Sequence, residues 1–273
     1  MPSTLSNPYD ILAFHAEAGV DIALEEAPQN RFEEAAEPAP VVAMPVAAKA
    51  PLPAFTPRPQ APAAPISMAA PAAPDEAALE AREMASKAAS LDELHEILKR
   101  FDGCALKKTA KNLVFADGTP GARVMFVGEA PGADEDREGL PFVGRSGKLL
   151  DLMMNAIGLD RTSAYIANIV PWRPPGNRTP TPQETAICLP FIKRQIELAN
   201  PDFLICLGKP SMQTLLHVAE GIKAGRGKWR DFETGTRTIK AMATFHPAYL
   251  LRSPNEKKFA WRDMLALKKA LAS

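Results

Sequence analysis

A chain of 273 residues, 46% apolar and 23% charged, has enough material to bury a sizeable core, and no apolar run in it approaches the roughly 20 residues a membrane span requires. Its 27 prolines are too many for one globular unit, so part of the chain must lie outside that core. The formal charge of zero hides an asymmetry: residues 1–70 hold Asp10, Glu17, Asp21, Glu25, Glu26, Glu33, Glu34 and Glu37 against Arg31, Lys49 and Arg58, leaving the remainder at about +5, which is compatible with a polyanionic partner.

Asn7 and Pro8 cap a short helical pattern through Ala18, with Ile11, Leu12, Phe14 and Ala18 as its apolar face and Gly19 as its stop. Such a helix is too short to be stable by itself. Three readings stay open for residues 1–26: docking on the chain's own domain, a partner-binding segment of the helix-in-groove kind, or disorder. His15 reads as an incidental polar-face residue. Residues 27–74 are dominated by Pro and Ala, cannot pack, and are expected to form a disordered linker. The start of the chain lacks a basic region followed by an apolar core, so no signal peptide is expected. Three cysteines, an odd number, fit a reducing, cytoplasmic setting.

The folded domain is expected over 75–273. Two helical patterns run from Asp75 to Leu98, the second opened by a Ser90/Glu93 capping box. Four apolar runs, 123–127, 164–169, 203–207 and 239–245, then alternate with helices. That alternation predicts a three-layer α/β/α domain around a roughly four-stranded parallel sheet. A helix opens at Ser146 and closes at Gly158. Another opens at Thr181 and Pro182 with Glu184 completing a capping box, and Pro190 is expected to break or kink it. The last opens at Ser253, Pro254 and Glu256.

Three stretches past predicted strands carry chemistry. Arg123–Leu150 contains Glu129 at a strand end, a Pro131–Gly132 turn, the acids Asp134, Glu135 and Asp136, and Phe142 in a glycine-bounded loop. Tyr165–Arg178 places Asn168 at a strand end before a proline-rich loop bearing Arg173 and Arg178. Thr244–Arg252 places His246 at a strand end before the apolar tip Tyr249, Leu250, Leu251 and then Arg252. A polar side chain at one strand end is ordinarily structural, but three on one edge of a parallel sheet point to a ligand crevice.

Together GEAPGADEDREGLPFVG, YIANIVPWRPPGNR and HPAYLLR resemble the family-4 uracil-DNA glycosylases, over roughly the final 170 residues. The resemblance implies hydrolysis of the bond between uracil and deoxyribose in DNA, as the first step of base excision repair. It implies that Phe142 stacks on a flipped uracil, that Asn168 bonds its polar edge, and that His246 donates to the departing oxygen. Glu129 would hold the water with help from the Ala130 backbone, and Glu135 would line the pocket near uracil C5. Tyr249, Leu250 and Leu251 would form the wedge that fills the gap in the duplex. Arg252, Arg173 and Arg178, with Arg226, Lys228 and Arg230, would meet phosphates. The rival readings are a catalytically silent DNA- or partner-binding protein and a glycosylase for other deaminated bases. Uracil-containing DNA is the expected partner, and a monomer is the expected state.

The resembled family binds a [4Fe–4S] cluster through four cysteines. Here Cys104 and Cys188 match two of those positions, while Phe101 and Trp172 stand at the other two and cannot ligate iron. No cluster is expected, and Phe101 and Trp172 are expected to pack in an apolar plug. Cys206 reads as a buried strand residue.

Overall fold

The computed structural model describes residues 74–272. The predicted segment at 1–26 and the predicted linker at 27–74, except Pro74, which begins a helix, therefore lie outside the described residues. In chain order the elements are α1 (Pro74–Lys87), α2 (Leu91–Arg100), β1 (Asp117–Gly118), β2 (Val124–Gly128), α3 (Ala133–Glu138), α4 (Arg145–Asn155), β3 (Ala164–Asn168), α5 (Pro182–Ala199), β4 (Phe203–Leu207), α6 (Lys209–Leu216), α7 (Ile222–Gly225), β5 (Arg230–Glu233), β6 (Thr238–Thr244), α8 (Pro247–Arg252) and α9 (Lys257–Leu271).

One sheet in the order β1-β3-β2-β4-β6-β5 organises them. The inner four strands are parallel, with Gly128 beside Asn168 and Leu207 beside Thr244 at their carboxyl ends. These are the four apolar runs the sequence predicts. The two edges, β1 and β5, pair antiparallel. Both escaped the sequence reading: β1 is two residues long, and β5 carries three charged residues and one apolar one, as an edge strand can.

Alternation along the buried strands divides the core in two. Met125, Val127, Tyr165, Ala167, Leu204 and Cys206 face one helical layer, with α1, α2 and α5. Val124, Phe126, Ile166, Ile205 and Met242 face the other, with Leu150 and Met154 of α4 and Met264 and Leu267 of α9. Period-two strands buried on both faces read as continuous apolar runs, which is why they stand out in the sequence. On the first layer α1 presents Ala77, Ala81 and Ala85, spaced one helical turn apart and buried, so its backbone lies close against α5. At the start of α2 Ser90 Oγ accepts the Glu93 N–H, and the Glu93 carboxylate accepts from Ala89.

Pro190 does not break α5, which runs 18 residues through it. The carbonyl left without a partner belongs to Ala186, an exposed residue that water can serve. The carboxyl-terminal helix starts later than predicted, because Pro254–Glu256 forms a separate tight turn before α9. Among the described residues no helix is long and apolar enough to cross a membrane.

Candidate active site

In chain order the strands give β2, then β3 on one side of it, then β4 on the other, so the direction of winding reverses at β2. Open α/β sheets place their ligand crevice at the carboxyl ends flanking such a reversal. Here a cleft of about 560 Å³ opens there, within the roughly 300–1,000 Å³ typical of small-molecule sites. Every strand end of the inner sheet contributes to it: Glu129 after β2, Asn168 at the end of β3, Gly208 and Lys209 after β4, and His246 after β6.

Gly128, the last residue of β2, forms the floor. A Cβ there would collide with Asn168 Oδ1 and come within 2.6 Å of Phe142 Cζ. The amide and the aromatic ring therefore lie over the same strand end. Phe142 is buried and its ring centroid lies 5.5 Å from that of His246. Its backbone has φ +56°, a left-handed conformation that costs a non-glycine residue about 1–2 kcal/mol. That expense falls on a residue that lines the cleft, the kind of place where strained backbone clusters.

Two acceptors in the cleft are buried with no partner, Glu129 Oε1 and Asn168 Oδ1. Each such atom costs about 1–3 kcal/mol when left unsatisfied, so their presence in one cavity points to a ligand that donates to both. Burial pushes the Glu129 carboxyl above the usual carboxylate range, opposed by a hydrogen bond with Thr179. His246 caps α8: its Nδ1 accepts the Ala248 N–H at 3.1 Å. The ring proton therefore sits on Nε2, leaving that nitrogen as a donor. Burial, with the charge of Arg252 nearby, pushes its pKa down to about 4, so the ring is neutral at pH 7.

The remaining expected residues divide. Ala130, Glu135, Arg178, Tyr249 and Arg252 line the cleft. The Glu135 carboxylate is committed to backbone: Oε2 accepts from Gly132 at 3.0 Å, and Oε1 accepts from Val143 at 3.1 Å and Gly144 at 2.9 Å. It acts as a clamp on the Phe142 loop. Arg178 forks onto Glu184 at 2.8 and 2.7 Å. Arg173 lies outside the lining and donates to Asn177 at 2.7 Å. Leu250 is a correction: it is buried with Phe245 and Ala260 under α8, so it anchors the tip and cannot be part of a wedge. Leu251 and Arg252 are exposed on the same helix. Arg226 is a second correction. It pairs with buried Asp263, donates to the Phe259 carbonyl at 2.6 Å and stacks between Phe245 and Phe259, so its Nε and Nη2 are committed inside the fold and the side chain is largely buried. Lys228 stands 3.5 Å from Glu220, and Arg230 belongs to the edge strand β5; neither lines the cleft. Lys209, which the sequence reading passed over, does line it and is exposed. The signal was available, since Gly208–Lys209–Pro210 follows an apolar strand as the other site loops do.

The residues at the expected cluster positions do not fit a four-iron centre. The Cys188 thiol donates to Cys104 Sγ at 4.0 Å, and these two sulfurs are all the thiols there, against the four thiolates such a centre takes. The neighbouring Cys104 and burial together push the Cys188 thiol well above its ordinary range. Phe101, with its ring against Phe191 at 5.0 Å, and Trp172 are buried in the same core cluster as the two cysteines. Among the described residues no group of three or more His, Cys, Asp or Glu could hold a metal ion.

The family model of the uracil DNA glycosylase superfamily matches residues 115–265, which include all four strand ends. The chain belongs to the uracil DNA glycosylase superfamily. It is 40% identical to the type-4 uracil-DNA glycosylase of Archaeoglobus fulgidus over 169 residues, covering 60% of this chain and 85% of that one. It is 41% identical to that of Thermotoga maritima over 167 residues, 59% and 85% of the two chains. With that of Saccharolobus solfataricus it shares 39% identity over 189 residues, 67% and 88%. The matched region spans the strand ends that line the cleft and begins at Phe115, after Phe101 and Cys104.

Proposed function

We propose that this glycosylase hydrolyses the N-glycosidic bond of uracil in DNA, releasing the free base and leaving an abasic site, and that it does so with Glu129, Phe142, Asn168 and His246. The observation that carries the assignment of residues is the pair of unpartnered buried acceptors, Asn168 Oδ1 and Glu129 Oε1, in one cleft with an aromatic face and a neutral imidazole donor. A uracil flipped out of the stack would lie against Phe142. Its N3–H would satisfy Asn168 Oδ1, while the amide nitrogen of Asn168 would donate to O4. Cytosine presents an acceptor at N3 and a donor at C4, the wrong order for that amide.

The bond from C1′ to N1 breaks and its electron pair stays on the base, spread over O2 and O4. His246 Nε2–H donates to O2 as the charge develops, which stabilises the leaving anion without transferring a proton. Water held at Glu129 Oε1 adds to C1′, and its proton passes to the carboxylate. While still ionised, that carboxylate also stabilises the positive charge on the sugar. No step passes through a metal. Lys209 and Arg252, exposed at the rim of the cleft, would meet phosphates on either side of the flipped nucleotide. Leu251 and Tyr249 on α8 supply the apolar edge that enters the duplex. Residues 75–273 carry this activity in our reading, with DNA as the partner.

Incubation with a uracil-containing oligonucleotide, followed by alkaline cleavage, tests the reading. The parent should generate abasic sites, and Glu129→Gln should be slower by about 10²–10⁴-fold while binding the same DNA. No release by the parent, with DNA binding intact, would return the protein to the class of silent binders.

A further inference from the structure

We propose that Arg161 is a positioning residue for base recognition, holding the Phe142 ring in its stacking orientation by gripping the carbonyls of Pro141 and Phe142, which lie on either side of the Phe142 Cα. The proposal rests on the reading that Phe142 stacks on the flipped base. Arg161 lies outside all three motif stretches, in the turn between α4 and β3, and does not line the cleft. Its guanidinium nonetheless reaches the Phe142 loop. Nη2 donates to the Phe142 carbonyl, and Nη1 donates to the Pro141 carbonyl at 3.2 Å. The head is itself fixed by two carboxylates, Asp117 on β1 and Asp151 on α4, the latter bonded to Nε at 2.9 Å.

A phenylalanine at φ +56° returns to the ordinary region of backbone space unless its neighbours forbid it. Three contacts do so here. Glu135 holds the next two N–H groups, those of Val143 and Gly144. Arg161 holds the two carbonyls. Gly147 on α4 presses its bare Cα against the Phe142 carbonyl, where any Cβ would collide. Donors on one side and an acceptor on the other pin the peptide planes flanking Phe142, so its ring direction is set by the backbone. A planar fork with several fixed donors suits this task, and an ammonium cannot reproduce it. Ring orientation matters because displacement of a reacting base by about 1 Å can cost about 100-fold in rate.

The experiment measures binding to two matched oligonucleotides, one carrying non-hydrolysable 2′-fluoro-2′-deoxyuridine and the other a base-free tetrahydrofuran site. Their affinity ratio isolates the base. Single-turnover uracil excision is measured beside it. Arg161→Met should reduce both the ratio and the excision rate by about tenfold or more, with affinity for the base-free site within about twofold of the parent. Arg161→Lys keeps the charge between Asp117 and Asp151 and should show the same pattern at smaller size, so a variant that fails to fold does not remove the test. In a Phe142→Ala background the Arg161 substitutions should have little further effect, because no ring remains to be aimed. Equal losses in both backgrounds, or equal losses at the base-free site, would overturn the positioning role. If Phe142→Ala itself leaves the ratio unchanged, the stacking reading has failed, a result distinct from a failure of Arg161.

Discussion

The neutral state of His246 makes a sharp prediction about pH. With a pKa of about 4, set by burial and by Arg252, only about one ring in a thousand is charged at pH 7. If an imidazolium were the working species, excision would rise about tenfold for each unit of pH lowered from 7 toward 5. A neutral Nε2–H donor predicts instead a rate that is flat from about pH 8 downward, until Glu129 takes up a proton. Burial raises that carboxyl, so the acid limb should begin at a higher pH than for an ordinary glutamate. His246→Ala should lower the single-turnover rate by about 10²–10³-fold at all these pH values. The same shift bears on stability. Between pH 6.5, the ordinary histidine value, and about 4, the unfolded chain binds a proton that the folded ring refuses. Stability contributed by this group is therefore present above 6.5 and lost as pH falls through that window, by about 3 kcal/mol in all. The urea midpoint of His246→Ala should fall less steeply over the same interval. A parent excision rate that climbs from pH 7 to pH 5, with the climb abolished in His246→Ala, would refute the neutral-donor account.

Leu250→Ala and Leu251→Ala should behave oppositely despite adjacency. The first empties a buried position and should cost about 2–5 kcal/mol in denaturant unfolding. The second should leave stability within about 0.5 kcal/mol while slowing excision from duplex DNA more than from single strands. Phe101→Ala should cost about 3–5 kcal/mol with no change in the iron content of the purified protein, and a drop in bound iron would contradict the apolar plug. Asp263→Ala leaves the Arg226 guanidinium buried beside Phe245 and Phe259 without its carboxylate, and should cost about 3–5 kcal/mol. Calorimetry that finds an unchanged midpoint would show the pair to be dispensable.

The inner sheet and three of the polar strand ends, Glu129, Asn168 and His246, are legible in the sequence because buried parallel strands announce themselves as unbroken apolar runs, and three polar residues at the ends of such runs are harder to explain structurally than one. What the sequence hides is the partner of each charge. Arg178 and Arg226 look alike as cations near site motifs, yet one is forked by Glu184, six positions on, and the other is buried against Asp263, 37 positions on. Neither pairing has a local signature that sets it apart from a solvated cation. Leu250 and Leu251 are indistinguishable as letters, and only the helical turn of α8 sends one inward. Arg161 was invisible for the same reason as Asp263: its function is to reach a loop 19 positions back, and nothing in its neighbours says so.

The plug and the cleft are two ends of one segment. Trp172 is buried with Phe101 and the paired cysteines, and Val114 donates to the Pro171 carbonyl at 2.9 Å just before it. Seven residues after Trp172, Thr179 lines the cleft beside Glu129. Between them run Pro174 and Pro175, Pro180 follows directly, and the Arg178–Glu184 fork ties the loop to the first turn of α5. Prolines remove backbone freedom from the unfolded and folded chain alike, so position imposed at one end is carried to the other with little slack. Metal–thiolate bonds and aromatic packing are physically different ways to fix the near end of such a loop. Aromatic packing acts through dispersion and desolvation spread over many atoms, so a loop held this way needs α1, α2 and α5 packed around Trp172 before Thr179 takes its place in the cleft beside Glu129.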